Sequence, residues 1–191
     1  MFETIQAIDF SILGWIQEHL RCGFLDVVAP PISMIANSGI LWLIIAIGCQ
    51  FMKRTRKCGM TMFLAMAMGF IIGDIILKAL VARERPCVVA PPELMLVPVP
   101  HSTSFPSGHS TAAFASSVSI FHHNRKLGIA AICLAVFIAF TRLYLYVHFP
   151  TDVLAGTALG ITSALVVTRL TDKYLWNRLD RKFPKLFPHA E

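Results

Sequence analysis

Apolar residues dominate four long stretches of the chain, at about 27–52, 59–81, 127–146 and 152–171. Crossing the hydrocarbon core of a bilayer takes about 20 residues of helix, so each stretch predicts a transmembrane helix. A fifth stretch, 109–122, is apolar but short. Residues 1–20 follow another pattern: Phe2, Ile5, Ile8, Ile12, Trp15 and Ile16 recur at helical spacing opposite Glu3, Gln6 and Gln17. That predicts an amphipathic helix lying on the membrane surface, with a buried first span as the alternative. Between about 83 and 106, Pro86, Pro91, Pro92, Pro98, Pro100 and Pro106 predict an extended, irregular loop rather than a helix. The spacings Gly69/Gly73 and Gly156/Gly160/Ala164 put small residues on one helix face, as close helix packing requires.

Composition agrees with this pattern. The 191 residues are 55% hydrophobic and 15% charged, with a mean hydropathy of +0.65, whereas soluble domains carry about 25% charged residues. The fold class is therefore all-α: a polytopic transmembrane bundle of about five or six helices, in a single membrane-embedded domain over residues 1–191. The start, MFETIQAIDF, lacks the basic residues and small-residue cleavage site of a signal peptide, so no removed leader is expected. Cys49 and Cys133 lie in apolar runs and read as core packing. Cys22 and Cys87 fall near one side of the membrane, which leaves a bridge between them open. No C-x-x-C pairing suggests a metal.

The net charge of +6 does not indicate a nucleic-acid partner, because the basic residues cluster beside apolar runs. Lys53, Arg54, Arg56 and Lys57 form one group, Arg125 and Lys126 a second, and Arg169, Lys173, Arg178, Arg181, Lys182 and Lys185 a third. If all five stretches cross, these groups share one face, which the positive-inside rule makes cytoplasmic. Arg21, Lys78, Arg83, Arg85 and Arg142 then fall on or near the opposite face. The expected setting is a multi-pass protein of the plasma membrane, with its polar motifs on the extracytoplasmic side.

Those motifs carry the chemistry. Lys78 and Arg85-Pro86 end the second stretch, Pro106-Ser107-Gly108-His109 opens the short one, and Arg142, His148 and Asp152 lie between the last two. Charges at membrane depth are costly and mark function. Three cations converge where two helices begin, and helix N-termini attract anions. Gly108 lets a ligand approach the backbone, and arginine grips phosphate oxygens bidentately. Phosphate is the expected guest. Asp152, four residues after His148, can hold one ring nitrogen protonated and leave the other to attack. His109 can protonate the departing oxygen.

The spacing Lys78-x6-Arg85-Pro86, Pro106-Ser107-Gly108-His109 and Arg142-x5-His148-x3-Asp152 resembles the signature of the type 2 phosphatidic acid phosphatase and vanadium haloperoxidase superfamily. Thr141 stands where that family has serine, and it keeps the hydroxyl. The resemblance spans residues 78–152 and, with the flanking apolar helices, matches the membrane branch. It implies a helical bundle with the site at its outer end and a phosphohistidine at His148. It further implies proton donation by His109, and phosphate binding by Lys78, Arg85, Ser107, Gly108 and Arg142. Neither metal nor cofactor is implied.

The leading function is hydrolysis of a lipid phosphate or diphosphate, with the membrane lipid as substrate. Phosphotransfer to an alcohol is a second enzymatic reading, and a non-enzymatic lipid-headgroup binder or transporter a third. The third leaves the pairing of His148 with Asp152 without a purpose. A haloperoxidase is disfavoured in so short and apolar a chain. The short stretch, about 14 residues, rises about 21 Å against about 30 Å of hydrocarbon. His109 is thus expected below the outer surface, with lateral entry of the lipid. Undecaprenyl diphosphate fits best; phosphatidic acid and phosphatidylglycerol phosphate are rivals. Asp74 precedes Lys78 by four residues and is expected to pair with it. Arg83 reads either as a phosphate contact or as a headgroup contact. His122-His123, Trp15, Trp42, Trp176 and Tyr174 read as interfacial, while His101 and His189 carry no signal.

Overall fold

The computed structural model describes residues 2–182. Lys185 and His189, and the side chain of Phe2, lie outside the described residues. Helices account for every regular element among the described residues. They are α1 (Phe2–His19), α2 (Gly23–Ile35), α3 (Ile40–Gln50), α4 (Arg56–Phe70), α5 (Lys78–Val81), α6 (Pro86–Val89), α7 (Gly108–His123), α8 (Arg125–Tyr144), α9 (Pro150–Leu170) and α10 (Asn177–Lys182). The rod through α4 and α5, helix α8 and the rod beginning with α9 are long and apolar enough to cross a membrane; the α2–α3 pair passes the same test only when its two bent halves are taken together as one span. Large apolar side chains such as Phe24, Val27, Phe51, Leu80 and Leu154 point outward, as lipid-facing residues do. The chain forms a membrane-spanning helical bundle.

At the centre stands α7, packed between α4, α8 and α9. Its 16 residues rise about 24 Å, so it falls short of a full span. Ser110, Thr111, Ser116, Ser117 and Ser119 are buried along it, because its surroundings are protein rather than lipid. Small residues permit this approach. A Cβ on Gly156 would lie 2.5 Å from the Ser107 carbonyl oxygen, and one on Gly160 2.5 Å from that of Thr111. The glycine spacing in α9 is therefore the face that seats α7.

The first predicted span is not one helix. It breaks at Asn37–Gly39, and α2 and α3 meet at a bend of 56°. Pro30 and Pro31 inside α2 remove two of its backbone donors. Gly39 then takes a left-handed φ of +71°, which glycine adopts without penalty. Between α4 and α5, residues Ile71–Leu77 form a π-helical turn, which carries Asp74. The proline-rich segment also differs from expectation, because Pro86 begins the one-turn helix α6. Proline fits a first helical position, where no amide donor is needed.

Helix α1 forms as predicted, and one face of it docks on the bundle. Ile5, Ile8, Ile12 and Trp15 are exposed, whereas Asp9, Leu13 and Ile16 are buried against the bundle. Trp42 and Trp176 are also buried rather than interfacial; Trp42 joins a core cluster with Met62, Phe114 and Ile138. All five cysteines are free, and Cys133 is exposed rather than packed inside. At one end of the bundle, the turn before α4 carries exposed Lys53 and Arg54, and the start of α8 exposed Arg125 and Lys126. There His122 meets Asp172 at 3.1 Å, His123 meets the Thr61 hydroxyl at 3.3 Å, and Lys57 lies over the Trp176 ring. The candidate site occupies the other end.

Candidate active site

Ser107 is the N-cap of α7, and its backbone N–H donates to the Asp152 carbonyl at 3.1 Å. The starts of α7 and α9 are thereby tied together. The loop between α5 and α7 closes across them, with the Ser104 N–H donating to the Arg83 carbonyl at 2.7 Å. Two non-glycine residues flank the site with positive φ, Ala82 at 47° and Tyr146 at 59°. Such strained backbone persists where the surrounding structure holds it. Each directs a neighbour inward: Arg83 follows Ala82, and His148 lies two residues beyond Tyr146.

His148 is 2% exposed and Asp152 0%. Arg85 Nη1 donates to His148 Nε2 at 3.0 Å. An arginine can only donate, so Nε2 is an acceptor and the ring proton resides on Nδ1. That nitrogen faces the Ser104 hydroxyl at 3.4 Å and Asp152 Oδ2 at 3.6 Å, the latter longer than a hydrogen bond. Ser104 closes the gap by donating to the same Oδ2. Burial, opposed by Asp152 and reinforced by Arg85 and Arg142, pushes His148 down to about 3. The imidazole is neutral, with its Nε2 lone pair turned toward arginine.

Asp152 is held from three sides. Oδ1 accepts from Arg83 Nη1 at 2.8 Å, while Oδ2 accepts from the Phe149 N–H at 2.9 Å and from Ser104. Arg83 pairs with two buried carboxylates, Asp152 and Asp9. An uncompensated buried charge would be strongly destabilising.

The remaining motif residues surround this pair. Lys78 pairs with Asp74 as its spacing predicts. The Asp74 carboxylate also lies against Gly108, where a Cβ would come within 3.1 Å of both oxygens. The missing side chain at Gly108 is what lets the Asp74 carboxylate approach the start of α7 this closely. Arg85 is bonded to Ser102, Thr103 and Val147 besides His148, so it organises the loop as well as facing the site. Arg142, 5% exposed, donates to the Ser33 hydroxyl, and its Nε has no partner among the described residues. His109 Nε2 lies 3.3 Å from the Ser33 carbonyl oxygen, an acceptor only, so Nε2 carries a proton.

Residues 58–176, more than half of the chain, match the PAP2 superfamily. The chain belongs to that superfamily. An undecaprenyl-diphosphatase from Sulfolobus acidocaldarius is 32% identical over 121 residues, 63% of this chain and 58% of that protein, so the match spans less than two thirds of it. A decaprenylphosphoryl-5-phosphoribose phosphatase from Mycobacterium tuberculosis is 33% identical over 175 residues, 87% of this chain and 93% of that one. Among solved structures, a transmembrane PAP2 type phosphatidylglycerolphosphate phosphatase from Bacillus subtilis superposes with a TM-score of 0.73 at 29% identity. That superposition covers 90% of this chain and 88% of the other.

The PAP2 motifs supplied eight candidate site residues. Ser33, Ser104, Asp9 and Thr151 lie outside them and were missed. Asp9 had a signal, an acid with Ile5, Leu13 and Ile16 on its own helix face. Nothing in the sequence around Ser33 distinguishes it; only the bend after α2 brings it to His109 and Arg142.

Proposed function

We propose that this protein is an integral-membrane lipid phosphatase working through a covalent intermediate at His148. The observation that carries this reading is the neutral His148 ring, with Nε2 unprotonated and Nδ1 backed by Ser104 and Asp152. A ring so arranged is a nucleophile, and its developing positive charge is met by Asp152. Nε2 attacks phosphorus while the bond to the leaving oxygen breaks. His109 gives its Nε2 proton to that oxygen. Water then attacks the phosphohistidine, losing a proton to His109; the P–N bond breaks, and inorganic phosphate leaves. Arg142 with its unpartnered Nε, Arg85, Lys78 and the N-terminus of α7 with Ser107 and Gly108 receive the phosphoryl oxygens.

Undecaprenyl diphosphate is the proposed substrate, losing its terminal phosphate. The name of the Sulfolobus relative supports it, as does the short central helix, which in this account leaves its start, and the site, at about headgroup depth. Phosphatidylglycerol phosphate is the second reading, favoured by the name of the superposed Bacillus structure. The site faces the outside of the plasma membrane in this account, because Lys53, Arg54, Arg125 and Lys126 gather at the other end. Phosphate release by purified protein from undecaprenyl diphosphate, phosphatidylglycerol phosphate, phosphatidic acid and a water-soluble phosphate ester is the test. The expected order puts the polyprenyl diphosphate first and the soluble ester last. Equal kcat/KM for soluble and lipid substrates would contradict lateral entry, and no release from any lipid would contradict the function.

A further inference from the structure

Helix α1 lies outside the matched region, yet it reaches the catalytic centre. Its outward face is apolar, with Ile8 and Trp15 exposed, while Asp9 on the inward face is 1% exposed. A carboxylate there is costly unless fully paired, and Asp9 is. Its Oδ2 accepts from Arg83 Nη2 at 2.7 Å and from the Thr151 hydroxyl at 2.6 Å. Its Oδ1 accepts from the Thr151 N–H at 3.1 Å.

The Thr151 bond fills a gap in the sequence of α9. That helix begins after Phe149, an N-cap with no oxygen to offer its free amides. Asp9 supplies the missing acceptor from another helix, one residue before Asp152. The Arg83 bond reaches Asp152 itself, because the same guanidinium donates through Nη1 to Asp152 Oδ1 at 2.8 Å. Phe149 is sandwiched in the same joint, with Arg83 3.9 Å from its ring centroid and Phe10 of α1 edge-on at 5.1 Å. Charge matters as well as position. With Asp9 present, Arg83 divides its charge between two carboxylates, and Asp152 retains negative charge for the imidazolium that forms at His148. Without Asp9, Arg83 would neutralise Asp152 alone.

We infer that Asp9 is a positioning residue for the phosphoryl-transfer step, holding Arg83 and the start of α9 so that Asp152 orients His148. The inference rests on the assignment of His148 and Asp152 proposed above, and its test separates the two. Full-length wild type, Asp9→Asn, Asp152→Asn and the double variant are compared in phosphate release from undecaprenyl diphosphate in proteoliposomes. Asp9→Asn is expected to lower kcat about 10- to 100-fold, as misplacement of a catalytic group does, with KM held within about threefold. In the Asp152→Asn background the same change should cost less than about twofold, since residues acting through one another are non-additive. An equal loss in both backgrounds would mean that Asp9 only supports folding, and would overturn the inference, as would an unchanged kcat. Should Asp9→Asn not fold, Asp9→Glu in the same two backgrounds keeps the charge but shifts it, and is judged by the same non-additivity. Undiminished turnover by Asp152→Asn alone would overturn the underlying assignment and the inference with it.

Discussion

Both ends of the bundle carry histidines, carboxylates and cations, but they use them differently. At the end with the basic clusters, His122 and Asp172 meet with side chains 47% and 44% exposed, so water screens their interaction and little depends on it. At the other end His148 and Asp152 are buried; Asp152 accepts from Arg83, Ser104 and the Phe149 N–H, and His148 accepts from Arg85 while its Nδ1 faces Ser104 and Asp152. In a low-dielectric setting every unpaired group is costly, and so buried polar networks become specific. The difference teaches that the presence of histidine says little about function. What counts is whether burial forces the ring into one tautomer with one lone pair available.

The sharpest way to break this contrast is to remove one histidine from each end. His148→Ala is expected to lower kcat at least about 10⁴-fold, as loss of a nucleophile does, while His122→Ala stays within about twofold. Phosphate release normalised to folded protein checks both, and substantial turnover by His148→Ala would sink the mechanism. Next in size is Asp152→Asn, which keeps the shape but not the charge; a loss of about 10²- to 10⁴-fold in kcat is expected. Asp74→Asn should be milder, raising KM about tenfold or lowering Tm, because Lys78 loses a charge-assisted partner beside the phosphate-binding groups. Wild-type Tm, KM and kcat together in that variant would refute the pairing as functional. The smallest expected effect is that of EDTA, which should leave activity within about twofold, since among the described residues no cluster of His, Cys, Asp and Glu is suited to a metal ion. Vanadate, which resembles pentacoordinate phosphorus, should inhibit the same preparation. Loss of activity on chelation, restored by a divalent ion, would contradict this.

The two ends also differ in how far they could be read from sequence. Motif spacing located His109, His148, Asp152 and the pair Asp74–Lys78, because local turns and helix starts connect those residues over short separations. The length of the apolar runs found the three long spans, and a fourth if the bent α2–α3 pair counts as one, since lipid imposes length and composition directly. It understated α7, whose neighbours are protein, so that serine and threonine replace leucine along it. It missed the break between α2 and α3, where two prolines and Gly39 act together. Asp9 and Ser33 escaped because their partners lie far along the chain: Asp9 reaches Thr151, and Ser33 reaches His109 and Arg142. Arg83 was found, but its two carboxylate partners were not, since Asp9 and Asp152 lie 74 and 69 residues away along the chain.

The central claim is that phosphorus becomes bonded to His148. Brief mixing of the protein with substrate labelled in the terminal phosphate, followed by a rapid alkaline quench, would catch that bond. The account predicts a label on the protein that survives base but is released by acid, maps to the peptide containing His148, and is absent from His148→Ala. A label on any other residue, or single-turnover hydrolysis at full rate without a labelled protein, would contradict it.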